Sequence, residues 1–336
     1  MSPARFEARR RAGLLGFALA ALMLAGCAQL GQQVGQLIPQ TVSLRTEWPE
    51  GVPRTVELAS VPFFPQDDYQ CGPAALATVL SFSGVSVTPE PLVKQVFVPA
   101  RNGSLQLEML AAPRTYARVS YQLAPKYADL LREVAAGNPV VVLQDVGTIF
   151  PQWHYAVVNG FDYPSGTIYL RSGTTKREEM PFSYFERTWM AGKYWAMVVT
   201  PADRIPVTAN ENGWVNAVVA MARVGGEAAA LRGYTAALER WPDNLPAAIG
   251  LANLHYGNGN YAEAARILRS AQKKHPESAI VTNNLAQALS DWGHHAEALA
   301  QLDKISDPQN PYASEVRATR QLILQRMAQQ KSGNRN

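Results

Sequence analysis

Gly225, Gly259 and Gly293 stand 34 residues apart, as do Ala230, Ala264 and Ala298. Leu251 and Leu285, Ala252 and Ala286, Ala262 and Ala296, Glu263 and Glu297, and Leu268 and Leu302 keep the same offset. So do Pro242 and Pro276, with Pro311 one place late. A fixed period of this length constrains the fold more than any composition does. Each unit is a helix pair too small to bury its own apolar face, so it must stack on copies of itself. Small residues recur where the helices would touch.

A 34-residue period of helix pairs is the tetratricopeptide pattern. It divides the C-terminal part into repeats at roughly 211–244, 245–278 and 279–312, with a closing helix at 313–330. Three repeats meet the minimum for a stable stack. The expected all-α domain covers residues 213–330, and its protein partner is expected to bind along the concave face of the repeats. Pro201 and Pro206 mark a polar linker over 201–212.

The N-terminus is read as a processing signal. Arg5, Arg9, Arg10 and Arg11 precede an uncharged apolar run from Gly13 to Leu24. That run is shorter than the ~20 residues of a membrane span. Leu24-Ala25-Gly26-Cys27 follows and resembles a bacterial lipoprotein box. Residues 1–26 are therefore expected to be a lipoprotein signal peptide, with lipid on Cys27 and a membrane tether over 27–50. Ala28, in place of an aspartate, favours the outer membrane by the same resemblance. The expected location is the bacterial cell envelope, as an outer-membrane lipoprotein facing the periplasm. The leader removes four of 31 basic and one of 27 acidic residues, so +4 falls to +1. The basicity belongs to the leader and gives no support to a nucleic-acid partner.

Only two cysteines occur, Cys27 and Cys71. With lipid on Cys27, Cys71 has no partner in an oxidising compartment, where thiols are ordinarily paired. It is either a buried structural residue or a nucleophile. Residues 54–61 read as a strand, broken by Pro62 and Pro65. From Cys71 to Gly84 the pattern is helical, opened by Pro73. Residues 105–112 and 127–136 read as helices. Strands follow at 139–143, at 154–158 with 167–170 as a hairpin, and at 194–199. Helices first and an antiparallel sheet after is an α+β plan.

Cys71 falls at a helix start, where partial positive charge favours thiolate and lowers the thiol pKa. His154 opens a strand between Trp153 and Tyr155, an apolar surround that keeps imidazole neutral and able to take a proton. A cysteine on a helix tip facing a histidine on a sheet is a nucleophile–base arrangement. There is no CxxC pair; His294 and His295 are adjacent, and with His255 they are expected to face solvent. No cofactor or metal is expected.

Pro62-Phe63-Phe64-Pro65-Gln66, Cys71-Gly72-Pro73-Ala74-Ala75-Leu76-Ala77 and His154-Tyr155-Ala156-Val157-Val158-Asn159-Gly160-Phe161-Asp162 resemble the bacteriocin-processing, double-glycine cysteine peptidase family. Residues 92–112, with Gly103-Ser104-Leu105-Gln106, share the likeness, which covers about 60–200. Many members are the front end of peptide exporters; this chain resembles the stand-alone lipoprotein branch. The resemblance implies a papain-like cysteine peptidase domain over 51–200, with Cys71 as nucleophile and His154 as base. It implies that Gln66 stabilises the oxyanion together with the Cys71 N–H, and that cleavage follows small residues such as Gly-Gly. Where the family places an aspartate after the histidine strand, this chain has Ser172; Asp162 falls in the hairpin turn, away from His154. The site is thus a weakened triad, a Cys–His dyad or an inactive binding domain.

The expected activity is cysteine-peptidase hydrolysis of a peptide or protein substrate, with the repeats recruiting a protein. Transglutaminase-like or amidase chemistry uses similar parts. The other reading is a catalytically degenerate lipoprotein scaffold that binds peptides or proteins through its repeats.

Overall fold

A computed structural model describes residues 39–65, 70–101, 103–224, 226–305 and 311–333. Cys27, where lipid is expected, residues 1–26 and the first part of the expected tether lie outside these residues, as does Gln66. The tether's described end is ordered. Helix α1 (Gln40–Leu44) is held by the buried Glu186 carboxylate, which accepts the Gln40 and Thr41 N–H groups and the Thr41 hydroxyl.

The N-terminal half is built on one seven-stranded antiparallel sheet. Its strands are β1 (Thr55–Glu57), β4 (Arg118–Gln122), β5 (Val140–Asp145), β6 (Trp153–Asp162), β7 (Thr167–Ser172), β8 (Thr175–Pro181) and β9 (Ala196–Pro201). Their order is β4-β9-β5-β6-β7-β8, with β1 beside the far end of β6. Two short strands, β2 (Phe97–Val98) and β3 (Gly103–Ser104), pair apart from it. Period-two alternation sends two sets of side chains to two cores. Val141, Tyr155, Val157, Met197 and Val199 face helices α2 (Cys71–Phe82), α3 (Pro89–Val96) and α4 (Gln106–Ala111). Val140, Val142, Ala156, Val158, Ala196 and Val198 face α5 (Tyr127–Ala135) and α6 (Phe182–Ala191).

Helix α2 is buried from Gly72 to Leu80. A helix apolar on every side can only be a core helix, so the CGPAALATVL run fixes this element centrally. The structure adds α3, α6, β4 and β8 to the sequence reading and moves the last strand from 194–199 to Ala196–Pro201. Strand β8 shows no alternation because it is a charged edge strand, with Lys176, Arg177, Glu178 and Glu179 in succession.

The helix pairs of the C-terminal half begin at Glu211, Leu245 and Ala279. They join α7 (Glu211–Ala222) with α8 (Glu227–Arg240), α9 (Leu245–Gly257) with α10 (Tyr261–Lys274), and α11 (Ala279–Asp291) with α12 (His295–Leu302); α13 (Ala313–Gly333) closes the stack. Ala230, Ala264 and Ala298 are fully buried. Gly259 and Gly293 take φ +75° and +92° in the turn within each repeat, a conformation that leaves glycine unstrained. His295 is buried rather than solvent-facing. It bonds Ser290 Oγ at 3.1 Å and Gln330 Nε2 at 3.1 Å, because α13 folds back over α12 and covers it.

Residues 201–212 are clamped to both halves. Glu133, fully buried, accepts the Thr208 N–H at 2.7 Å and its hydroxyl at 2.6 Å. Arg240 donates to the Pro206 and Val207 carbonyls, and Asn210 N–H donates to Tyr121 Oη. Trp214 is fully buried and belongs to the same apolar cluster as β4, β9 and the repeats. The core is continuous across the joint.

Candidate active site

Three chain ends meet at one end of the sheet. Helix α2 begins at Cys71, β6 begins at Trp153-His154, and β7 finishes at Ser172. The β6–β7 register runs from Val157 opposite Arg171, so β7 stops short of His154 and Tyr155. At that uncovered edge the Cys71 thiol lies against the backbone N–H of Tyr155, the residue after His154. The N–H groups of Gly72 and Cys71 also bear on the sulfur. The Gln70 side chain does not cap the helix.

Gly72 is required by close packing. A Cβ there would lie 2.2 Å from Ser104 Oγ and 3.3 Å from Met109 Sδ. This contact seats β3 and the start of α4 beside Cys71, and the Tyr155 hydroxyl donates to the Ser104 carbonyl at 3.3 Å. Leu105 and Leu107, 45% and 70% exposed, continue from Ser104 as an apolar border.

His154 Nε2 lies 3.0 Å from Ser172 Oγ, and Ser172 is buried. The bond occupies Nε2 and leaves Nδ1 as the nitrogen able to take a proton. Thiol and imidazole are not hydrogen-bonded to each other in this resting geometry; such contacts commonly tighten only when substrate binds. Directly across from His154 on β5 is Gln144, buried, whose amide donates to Thr188 Oγ1 at 2.7 Å on α6. The histidine strand is thereby braced by α6.

Electrostatics correct one expectation. Burial pushes the Cys71 thiol up from its ordinary value, and the N–H groups of Tyr155, Gly72 and Cys71 only partly oppose it. Burial pushes the His154 imidazole down. Desolvation outweighs the helix N-terminus because the half-buried thiol packs against the apolar core beneath α2. Both shifts favour a neutral thiol beside a neutral imidazole. Burial, followed by the charges of Cys71 and Glu108, pushes the Tyr155 phenol far up, so it stays protonated and able to donate.

The structure pairs His154 with Ser172 and lays the Cys71 thiol on the backbone N–H of Tyr155, the neighbour of His154. Asp162 stands at the opposite end of β6 and accepts the Thr55 hydroxyl at 2.6 Å. The sequence reading missed Gln144, Gly147 and Asp145. The Asp145 carboxylate accepts the Gly147 and Gln152 N–H groups and shapes the loop before His154. The VGTIFPQ stretch, with a glycine and a proline between two strands, carried the available signal.

A buried helix that begins at a cysteine, packed on an antiparallel sheet whose histidine strand starts beside it, is the α+β arrangement of a cysteine peptidase fold. Residues 58–197 match the Peptidase_C39 like family, and residues 227–283 and 256–323 match the tetratricopeptide repeat family. The chain thus carries a C39-like α+β domain followed by tetratricopeptide repeats. Among solved structures it is similar to a C39-like peptidase from Bacillus anthracis, at 18% identity over 44% of this chain and 98% of that one, TM-score 0.38. It is also similar to the peptidase domain of Streptococcus ComA, a bi-functional ABC transporter, at 21% identity over 42% and 98%, TM-score 0.35. MamA of AMB-1 is similar at 17% identity over 45% and 82%, TM-score 0.32. No curated protein matches the chain.

Proposed function

We propose that this protein is a lipid-anchored cysteine peptidase of the bacterial cell envelope, held at the outer membrane through Cys27, whose repeats recruit a protein partner or substrate. The observation that carries the peptidase reading is the thiol of Cys71 placed on the backbone beside His154, with His154 Nε2 fixed by Ser172. The neutral pair reacts by general base catalysis. As the Cys71 sulfur bonds to the substrate carbonyl carbon, its proton passes to His154 Nδ1. The oxyanion is met by the Cys71 N–H and the Gln66 amide, a donor of the kind worth about 3–4 kcal/mol. The C–N bond breaks, and His154 returns the proton to the leaving amine. Water, deprotonated by the same imidazole, then hydrolyses the thioester. Ser172 accepts Nε2–H and sets the tautomer without supplying a negative charge.

The test is a peptidyl acyloxymethyl ketone ending in Gly-Gly, applied to wild type, His154→Ala and Gln66→Ala. A Cys71 adduct lost in His154→Ala and weakened in Gln66→Ala supports the peptidase. An adduct indifferent to His154 overturns it. The second reading, a degenerate scaffold, is favoured by the neutral Ser172 where a carboxylate would hold imidazolium; it predicts no adduct with folded protein.

A further inference from the structure

The loop between β5 and β6 leads directly into His154 and presents its apolar residues outward. Ile149 is 85% exposed, Phe150 81% and Trp153 53%. From Val146 to Trp153 there is no charged residue. The loop is braced rather than loose. Asp145 Oδ1 accepts Gly147 N–H at 3.0 Å and Gln152 N–H at 2.8 Å, and Val146 N–H donates to the Gln152 carbonyl at 3.0 Å. A Cβ on Gly147 would lie 1.9 Å from the Phe150 carbonyl, so the backbone closes tightly on itself beneath the tip. A fixed, uncharged, projecting Ile-Phe pair with a tryptophan at its base has the shape of a wedge, not of a groove wall.

We propose that this tip docks the active-site end of the protein on a lipid surface. The inference rests on the proposed anchor at Cys27. Two observations favour lipid as the occupant. The residues protrude almost fully instead of lining a concavity that a peptide would fill, and tryptophan is enriched at lipid–water boundaries. The chain also leads to the membrane from this same end. Pro39-Gln40 is held by Glu186 on α6, and Thr188 on that helix bonds Gln144, one residue before the loop-shaping Asp145. Eleven residues separate Cys27 from Pro39. Even fully extended they reach only about 40 Å, so the anchor keeps the loop within reach of the lipid. Cleavage is then confined to polypeptides lying on or emerging from the membrane.

The experiment uses the full lipidated chain in a Cys71→Ala background, with Ile149→Cys carrying an environment-sensitive dye and Lys273→Cys as the control position. Both are reconstituted on phosphatidylethanolamine–phosphatidylglycerol vesicles containing a lipid-borne quencher. The expected result is a blue shift and quenching at 149, consistent with insertion to about 5–10 Å, and neither at 273. A chain that floats with vesicles but leaves the probe at 149 unquenched overturns the docking tip while sparing the anchor. A chain that does not float overturns both. A probe that responds to added peptide and not to lipid assigns the tip to substrate and also overturns the proposal.

Discussion

The two halves of the chain are held by contacts of different reach. In the repeats each helix packs on its neighbours in sequence, and the same small residue returns at each joint, as Ala230, Ala264 and Ala298 do. In the C39-like half Arg118 pairs with Pro201 across the sheet, and the candidate site draws on residues 71, 154 and 172. One half is a sum of nearest-neighbour interfaces; the other stands or falls on distant pairings. Function follows this division. The proposed chemistry is assigned to the place where the ends of remote elements converge, and the proposed recruitment to the surface that repeats.

The sharpest test of that division is Cys71→Ala. It should lower peptide hydrolysis by roughly 10³-fold or more while leaving the thermal unfolding midpoint in place. A large loss of stability would show that the residue is structural. Trp214→Ala should do the reverse. It empties a buried site at the joint and should cost about 3–5 kcal/mol, read by denaturant unfolding, without changing the acyloxymethyl ketone adduct. Because one apolar cluster crosses the joint, both halves should unfold together in wild type; separate transitions would break the picture of a clamped joint. Ala264→Leu overfills a single repeat interface and should cost about 1–3 kcal/mol, confined to the helical signal in hydrogen exchange.

The smallest expected effects concern pH. With the His154 pKa pushed below 6.5, imidazole remains neutral under mildly acid conditions, and kcat/KM should fall only as pH drops through that lowered value. With the Cys71 pKa pushed above 9.0, alkylation of the free thiol should still be rising above that pH. Linkage has matching signs. Below pH 6.5 the unfolded chain takes up the histidine proton first, so His154 subtracts stability as pH falls. Above pH 9.0 the unfolded thiol ionises first, so Cys71 subtracts stability as pH rises. Ser172→Asp should move the acid limb upward, because a nearby carboxylate favours imidazolium. A limb that stays in place would show that Ser172 does not address His154 in the working enzyme.

Much of this was legible in the residues. The 34-residue period placed all three helix pairs, since local packing repeats its own signature. The buried α2 was also legible, because a helix apolar on every side can only be a core helix. Strand β8 escaped notice since charged edge strands carry no alternation, and α6 because its role is to brace other elements. The sequence by itself determined the two-part architecture. Only the tertiary structure decided the direction in which the Cys71 and His154 pKa values move. The Cys71 thiol and the His154 imidazole are each partly covered by the rest of the fold, and their desolvation overrides what either local sequence favours. Burial depends on what the rest of the chain stacks on top, and that is set by pairings a hundred residues long.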